Sequence, residues 1–106
     1  MLVCRDESKK VIYVTPGCDL VADEAEAMRK ELLSCVWKDT ETLVLDLARV
    51  RTIDSFGLNT IIALYEWIRK DGGELIIENA SHDLKKIFRL MRIDGRLTIS
   101  QTGWPS

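Results

Sequence analysis

The chain has 106 residues, 46% hydrophobic and 30% charged; this is too apolar for disorder and is read as one globular unit over 1–106, able to bury roughly 65% of its unfolded surface. Its formal net charge of -2, with both signs mixed along the chain, excludes the strongly basic footprint of a protein whose main partner is nucleic acid. The opening "MLVCRDESKKVIYV" holds no continuous apolar run and no later segment approaches the ~20 apolar residues of a membrane span, so a cytoplasmic protein without membrane insertion is expected.

In chain order, "LVCR" and "VIYVT" bracket the polar "DESKK", which predicts two short strands joined by a hairpin-like turn. Pro16-Gly17 then punctuates the chain. Val21, Ala25, Met28, Leu32 and Val36 share one face of a predicted helix, while Asp23, Glu24, Glu26, Arg29, Lys30 and Glu31 cover the other. "TLVLDL" is short, almost wholly apolar and rich in branched side chains, as expected for a central strand covered on both faces.

After a break at Asp54-Ser55, Leu58, Ile61, Ile62, Tyr65 and Ile68 return to helical spacing, and "KDGG" supplies a stop. "ELIIEN" is the next strand, and Ser81 caps a third helix with Leu84, Ile87, Phe88 and Met91 inward. "RLTIS" supplies a last edge strand. This alternation predicts an α/β fold: a small mixed sheet of four to five strands packed against about three to four helices.

The junction "RTIDSFGLNTI" carries the most information. It lies where a buried strand gives way to a helix, at the carboxyl edge of the sheet, where open α/β folds meet ligands and partners. Either Asp54 or Ser55 can cap the helix by accepting a bond from one of its first free N–H groups. The same place suits a switch. A phosphate on Ser55 would sit by free N–H groups at the positive end of the helix dipole, while its added charge changed what the surface binds. Gly57, lacking a side chain, would let a partner or phosphate approach the first turn closely.

The stretch "LVLDLARVRTIDSFGLNTIIALYEWIRKDGGELIIENASHDLKKIFRLMRIDGRLTI" resembles the STAS domain, the module of anti-sigma factor antagonists and of sulfate-transporter tails. Its most specific element is the signature Asp-Ser-x-Gly-Leu, here Asp54, Ser55, Phe56, Gly57 and Leu58, and the looser "VTPGCDLVADEAEAMRKEL" is similar to the family's turn and first helix. The resemblance implies that Ser55 matches the serine phosphorylated in antagonists by a partner serine kinase, itself the anti-sigma factor. It implies that unphosphorylated antagonist binds that factor and releases sigma. Asp54 matches the acidic residue beside the phosphosite, and Asp19 the aspartate of the preceding loop. Phe56 stands where the family usually has a small residue; it either projects as a binding anchor or folds inward as a staple.

An enzyme is the rival class, but Ser55 as nucleophile needs a base, and the single histidine, His82, has no pairing signal. Gly72-Gly73 lacks the P-loop pattern. Cys4, Cys18 and Cys35 lack CxxC spacing and are read as reduced thiols, so no metal or cofactor is implied. Trp37 and Trp67 are read as partial core; Trp104 either covers a core edge or docks on another chain. The expectation is a non-enzymatic regulatory module with Ser55 as phosphosite, contact residues Asp19, Asp54, Phe56, Gly57 and Leu58, and an anti-sigma factor kinase as partner. The alternative is a STAS scaffold subunit of a signalling complex or membrane transporter that is never phosphorylated.

Overall fold

The computed structural model describes residues 2–6, 8, 10–34, 40–70, 72–90 and 98–99. Strand β1 (Leu2–Asp6) pairs antiparallel with β2 (Val11–Thr15), Val3 opposite Val14. At their turn the Ser8 N–H and hydroxyl donate to Asp6 Oδ1 at 3.1 and 2.7 Å, a local side-chain turn of the kind aspartate favours. Helix α1 (Ala22–Ser34) leads to β3 (Thr42–Asp46), α2 (Ser55–Lys70) to β4 (Glu74–Glu78), and α3 (His82–Leu90) to β5 (Thr98–Ile99). The sheet order is β1-β2-β3-β4-β5, and every pair after the first is parallel. Each parallel neighbour thus requires a crossover, and the helices supply them.

Register explains which apolar residues go inward. Ile12, Leu43 and Leu75 lie side by side across β2, β3 and β4, as do Val14, Leu45 and Ile77, and these side chains are at most 3% exposed. They form one core with Met28 and Leu32 of α1, Leu58, Ile61, Leu64 and Ile68 of α2, and Leu84 and Phe88 of α3. Strand β3 is buried on both faces, whereas β2 alternates, with Tyr13 exposed between Ile12 and Val14.

The expected stops and caps are in place. Gly72 adopts φ 79°, its N–H donating to the Arg69 carbonyl, and the Gly73 N–H donates to that of Ile68 at 2.9 Å. Ser81 Oγ accepts from the Leu84 N–H at 3.2 Å. Leu64 and Lys85 join the buried faces beyond the sequence expectation. Burial pushes the Lys85 amine below its ordinary value of 10.5. Val21 stands one residue before α1 rather than inside it. Cys35, Val36, Trp37, Met91 and Trp104 lie outside the described residues.

Leu45, within β3 and fully enclosed, tests this core: Leu45→Ala should cost about 2–5 kcal/mol in urea unfolding through lost transfer energy and the cavity left behind.

Candidate functional site

The site is built at the carboxyl edge of β3. At the end of that strand, Asp46 Oδ1 accepts from the Ala48 N–H at 2.9 Å and the Asn79 side-chain amide at 3.0 Å, and the Leu47 N–H donates to the Glu78 carbonyl at 2.9 Å. These bonds hold the loop against β4 while Leu47, Val50 and Ile53 enter the core. The chain therefore reaches Asp54 in a fixed position.

There it meets the loop before α1. Leu20 and Ile53 form a parallel bridge, with the Leu20 N–H donating to the Thr52 carbonyl at 3.2 Å and the Asp54 N–H to the Leu20 carbonyl at 3.3 Å. A carboxylate closes each end. Asp19 Oδ1 accepts from the Arg51 N–H at 2.8 Å, and Asp54 Oδ2 from the Ala22 N–H at 2.9 Å. Residues 19–22 and 51–54 are thus zipped together by two backbone bonds flanked at each end by a bond to a carboxylate.

Asp54 also resolves the capping alternative: its Oδ1 accepts from the Gly57 N–H at 3.0 Å, so Asp54, not Ser55, is the N-cap of α2. One carboxylate therefore satisfies the starts of two helices. The Gly57 N–H is the chief cause holding the Asp54 carboxyl below its ordinary 3.8; partial burial opposes it and the Ala22 N–H adds to it.

Relieved of capping, Ser55 is exposed as the first residue of α2, and its hydroxyl makes no hydrogen bond among the described residues. Phe56 is 59% exposed, so of its two expected positions it takes the outward one. Its ring borders an open groove of about 260 Å³ between α1 and α2, lined by Glu26, Arg29, Asn59, Thr60 and Ala63.

Two expected contact residues face inward instead. Leu58 is 7% exposed and belongs to the core. Gly57 is buried, and the close approach that its missing side chain allows is made by the chain itself: a Cβ there would run into the Leu20 carbonyl and stand 2.7 Å from Ile53 Cγ2. The expectation that Gly57 opens the turn to a partner is corrected accordingly. Ala22 and Thr60 were not foreseen. Ala22 holds φ 45°, a left-handed conformation uncommon for alanine, and nothing in its residue type signals this. Thr60, a polar residue within α2's apolar stripe, is 2% exposed and donates to the Phe56 carbonyl at 3.0 Å.

The family model described as STAS domain matches residues 5–103. The chain belongs to the STAS domain family. Among solved structures, this STAS chain is similar to the crystal structure of TM1081 from Thermotoga maritima, assigned as a candidate anti-sigma factor antagonist: TM-score 0.85, 22% identity, covering 95% of this chain and 86% of that one. The NMR structure of TM1081 matches with TM-score 0.76 at 23% identity, covering 88% and 75%. The anti-sigma factor antagonist SpoIIAA in its unphosphorylated form matches with TM-score 0.73 at 14% identity, covering 95% and 87%. At these identities the likeness is one of fold.

Elsewhere, His82 is exposed at the start of α3, with no hydrogen bond to Ser55 among the described residues. Cys4 and Cys18 are free and exposed. Among the described residues no group of three His, Cys, Asp or Glu side chains is placed to hold a metal ion.

Two predictions test the zipper. Gly57→Ala should lower unfolding stability by about 1–3 kcal/mol, because the atom it strikes is backbone and cannot swing aside. Because the folded pKa of Asp54 is depressed, its carboxylate contributes stability that is present above its unfolded pKa and lost as pH falls through the folded one. The stability advantage of the native chain over Asp54→Asn should be constant above about pH 5 and shrink steadily in more acid solution, read by urea titrations at each pH.

Proposed function

We propose that this STAS chain acts as an anti-sigma factor antagonist, a binding module without turnover. Unphosphorylated, it engages an anti-sigma factor that is also a serine kinase and so frees the sigma factor; phosphorylation of Ser55 ends the interaction. One observation carries this reading. The Ser55 hydroxyl is exposed at the first turn of α2 with its capping duty taken by Asp54, so a kinase can reach it and a phosphate costs the fold no existing bond. The positive end of α2 tolerates the new charge, while partner atoms docked there would meet repulsion and lost solvation. The antagonist names of the neighbouring folds, one of them described in an unphosphorylated form, support the same assignment.

In this reading Phe56 is the apolar anchor of the contact surface, to which Ser55, Asp19 and Asp54 also contribute. The whole of 1–106 acts as one STAS unit that diffuses in the cytoplasm; no described helix is long and apolar enough to cross a membrane. Phe56 also favours a second reading. A bulky exposed ring directly after the phosphosite suits a scaffold subunit of a signalling complex or transporter that binds its partner permanently and is never phosphorylated.

Intact-mass and fragment analysis of protein purified from its own cells, at rest and under stress, separates the two. One phosphate on Ser55 together with a copurifying kinase-fold partner is expected; an unmodified Ser55 in every condition, with transporter components copurifying, sinks the antagonist reading. Ser55→Asp should weaken binding to that copurifying partner by about tenfold or more and leave the urea midpoint unchanged. A fall in stability matching the fall in binding would instead mean that Ser55 has a structural role.

A further inference from the structure

The bonds that zip residues 19–22 to residues 51–54 are not equally exposed to events at Ser55. The Leu20 bonds run between backbone groups, and the Arg51 N–H is held by Asp19, far along the chain from the phosphosite. Only the Ala22 N–H ends on the side chain of Asp54, the immediate neighbour of Ser55. Both oxygens of that carboxylate are in use: Oδ1 on Gly57, three residues ahead in the same helix, and Oδ2 on Ala22, 32 residues away in sequence. The first bond travels with α2; the second depends on where the carboxylate points. Ala22 is meanwhile held at φ 45°, a conformation that alanine keeps only while its surroundings impose it.

We propose that a phosphate on Ser55 is read out at the start of α1: by repelling the Asp54 carboxylate it releases the Ala22 N–H and lets residue 22 leave its left-handed conformation. The inference rests on Ser55 being the modified residue. A phosphoserine brings about -1.5 to -2 charge next to a carboxylate that is already ionised. The carboxylate turns away while keeping its local cap on Gly57, and the cross-chain bond is the one that yields.

The release has a place to act. A cavity of about 380 Å³ lies beside α1, with one wall from Pro16, Gly17, Cys18 and Leu20 and the other from α1 residues running from Glu24 to Glu31. Ala22 stands between the two walls in sequence, so its backbone angle sets how they meet. The phosphate therefore reshapes a second surface, on the loop before α1, in addition to charging the first.

The test is amide hydrogen exchange by NMR on the full chain, with phosphoserine installed at position 55 during translation so that no kinase is involved. Ala22 should exchange about tenfold faster than in the unmodified protein, the effect of losing one hydrogen bond, while Gly57 and Lys85 stay within about twofold, marking intact helices. Asp54→Asn gives the control, since its amide keeps one oxygen to cap Gly57 but presents a donor to Ala22. In that variant Ala22 should already exchange fast, and phosphoserine should add nothing more. Unchanged Ala22 exchange in the phosphoserine protein overturns the proposal. So does an acceleration that persists in full in Asp54→Asn, since the phosphate would then act by another route. Because the phosphate is built in, failure here leaves the assignment of Ser55 as the cellular phosphosite standing. An unmodified Ser55 in cells, conversely, leaves this coupling measurable.

Discussion

Where the Leu20 carbonyl accepts from the Asp54 N–H, it occupies space that any side chain at position 57 would need. A hydrogen bond and an excluded volume meet at one point, and the rest of the site is arranged around it. Because the loop before α1 can lie this close, Leu20 pairs with Ile53 as an isolated parallel bridge. The carboxylates of Asp19 and Asp54 then reach the N–H groups at either end. Glycine in the signature is thus a packing requirement of the chain on itself, imposed by a backbone atom that cannot rotate out of the way.

From that contact follows a division of labour along the signature. Asp54, Gly57 and Leu58 hold the junction together by capping, close approach and burial. The Ser55 and Phe56 side chains face solvent. The junction also stores strain, since Ala22 is kept left-handed beside the bridge. Strain of this kind persists where neighbouring bonds over-determine the backbone, and it gathers at sites that change state.

Most of the fold was legible because its signals are local and redundant. Each helix announces itself by an apolar stripe, each strand by a short branched run, and the glycines and Ser81 mark the ends. The site was legible only in part. Periodicity marks the break at Asp54-Ser55, but which of the two caps the helix depends on Asp54 also reaching Ala22, a contact 32 residues away that no local pattern encodes. Gly57 was misread for a related reason: sequence reveals that a side chain is missing, not which atom fills the space. Lys85 was missed because a lysine in a helical stripe reads as solvent-facing, although its long stem can be enclosed.

The offloading of the cap from Ser55 to Asp54 also bears on how the site can evolve. In this chain the demands of a stable fold fall on Asp54, Gly57 and Leu58, whatever partner is bound. Position 55 lies outside them, since neither its hydroxyl nor its volume is used by the fold. The stability of the fold therefore places no demand on which residue stands there. A substitution at this residue changes the exposed face and leaves the surrounding framework standing, so the same junction can be turned to another partner without being rebuilt.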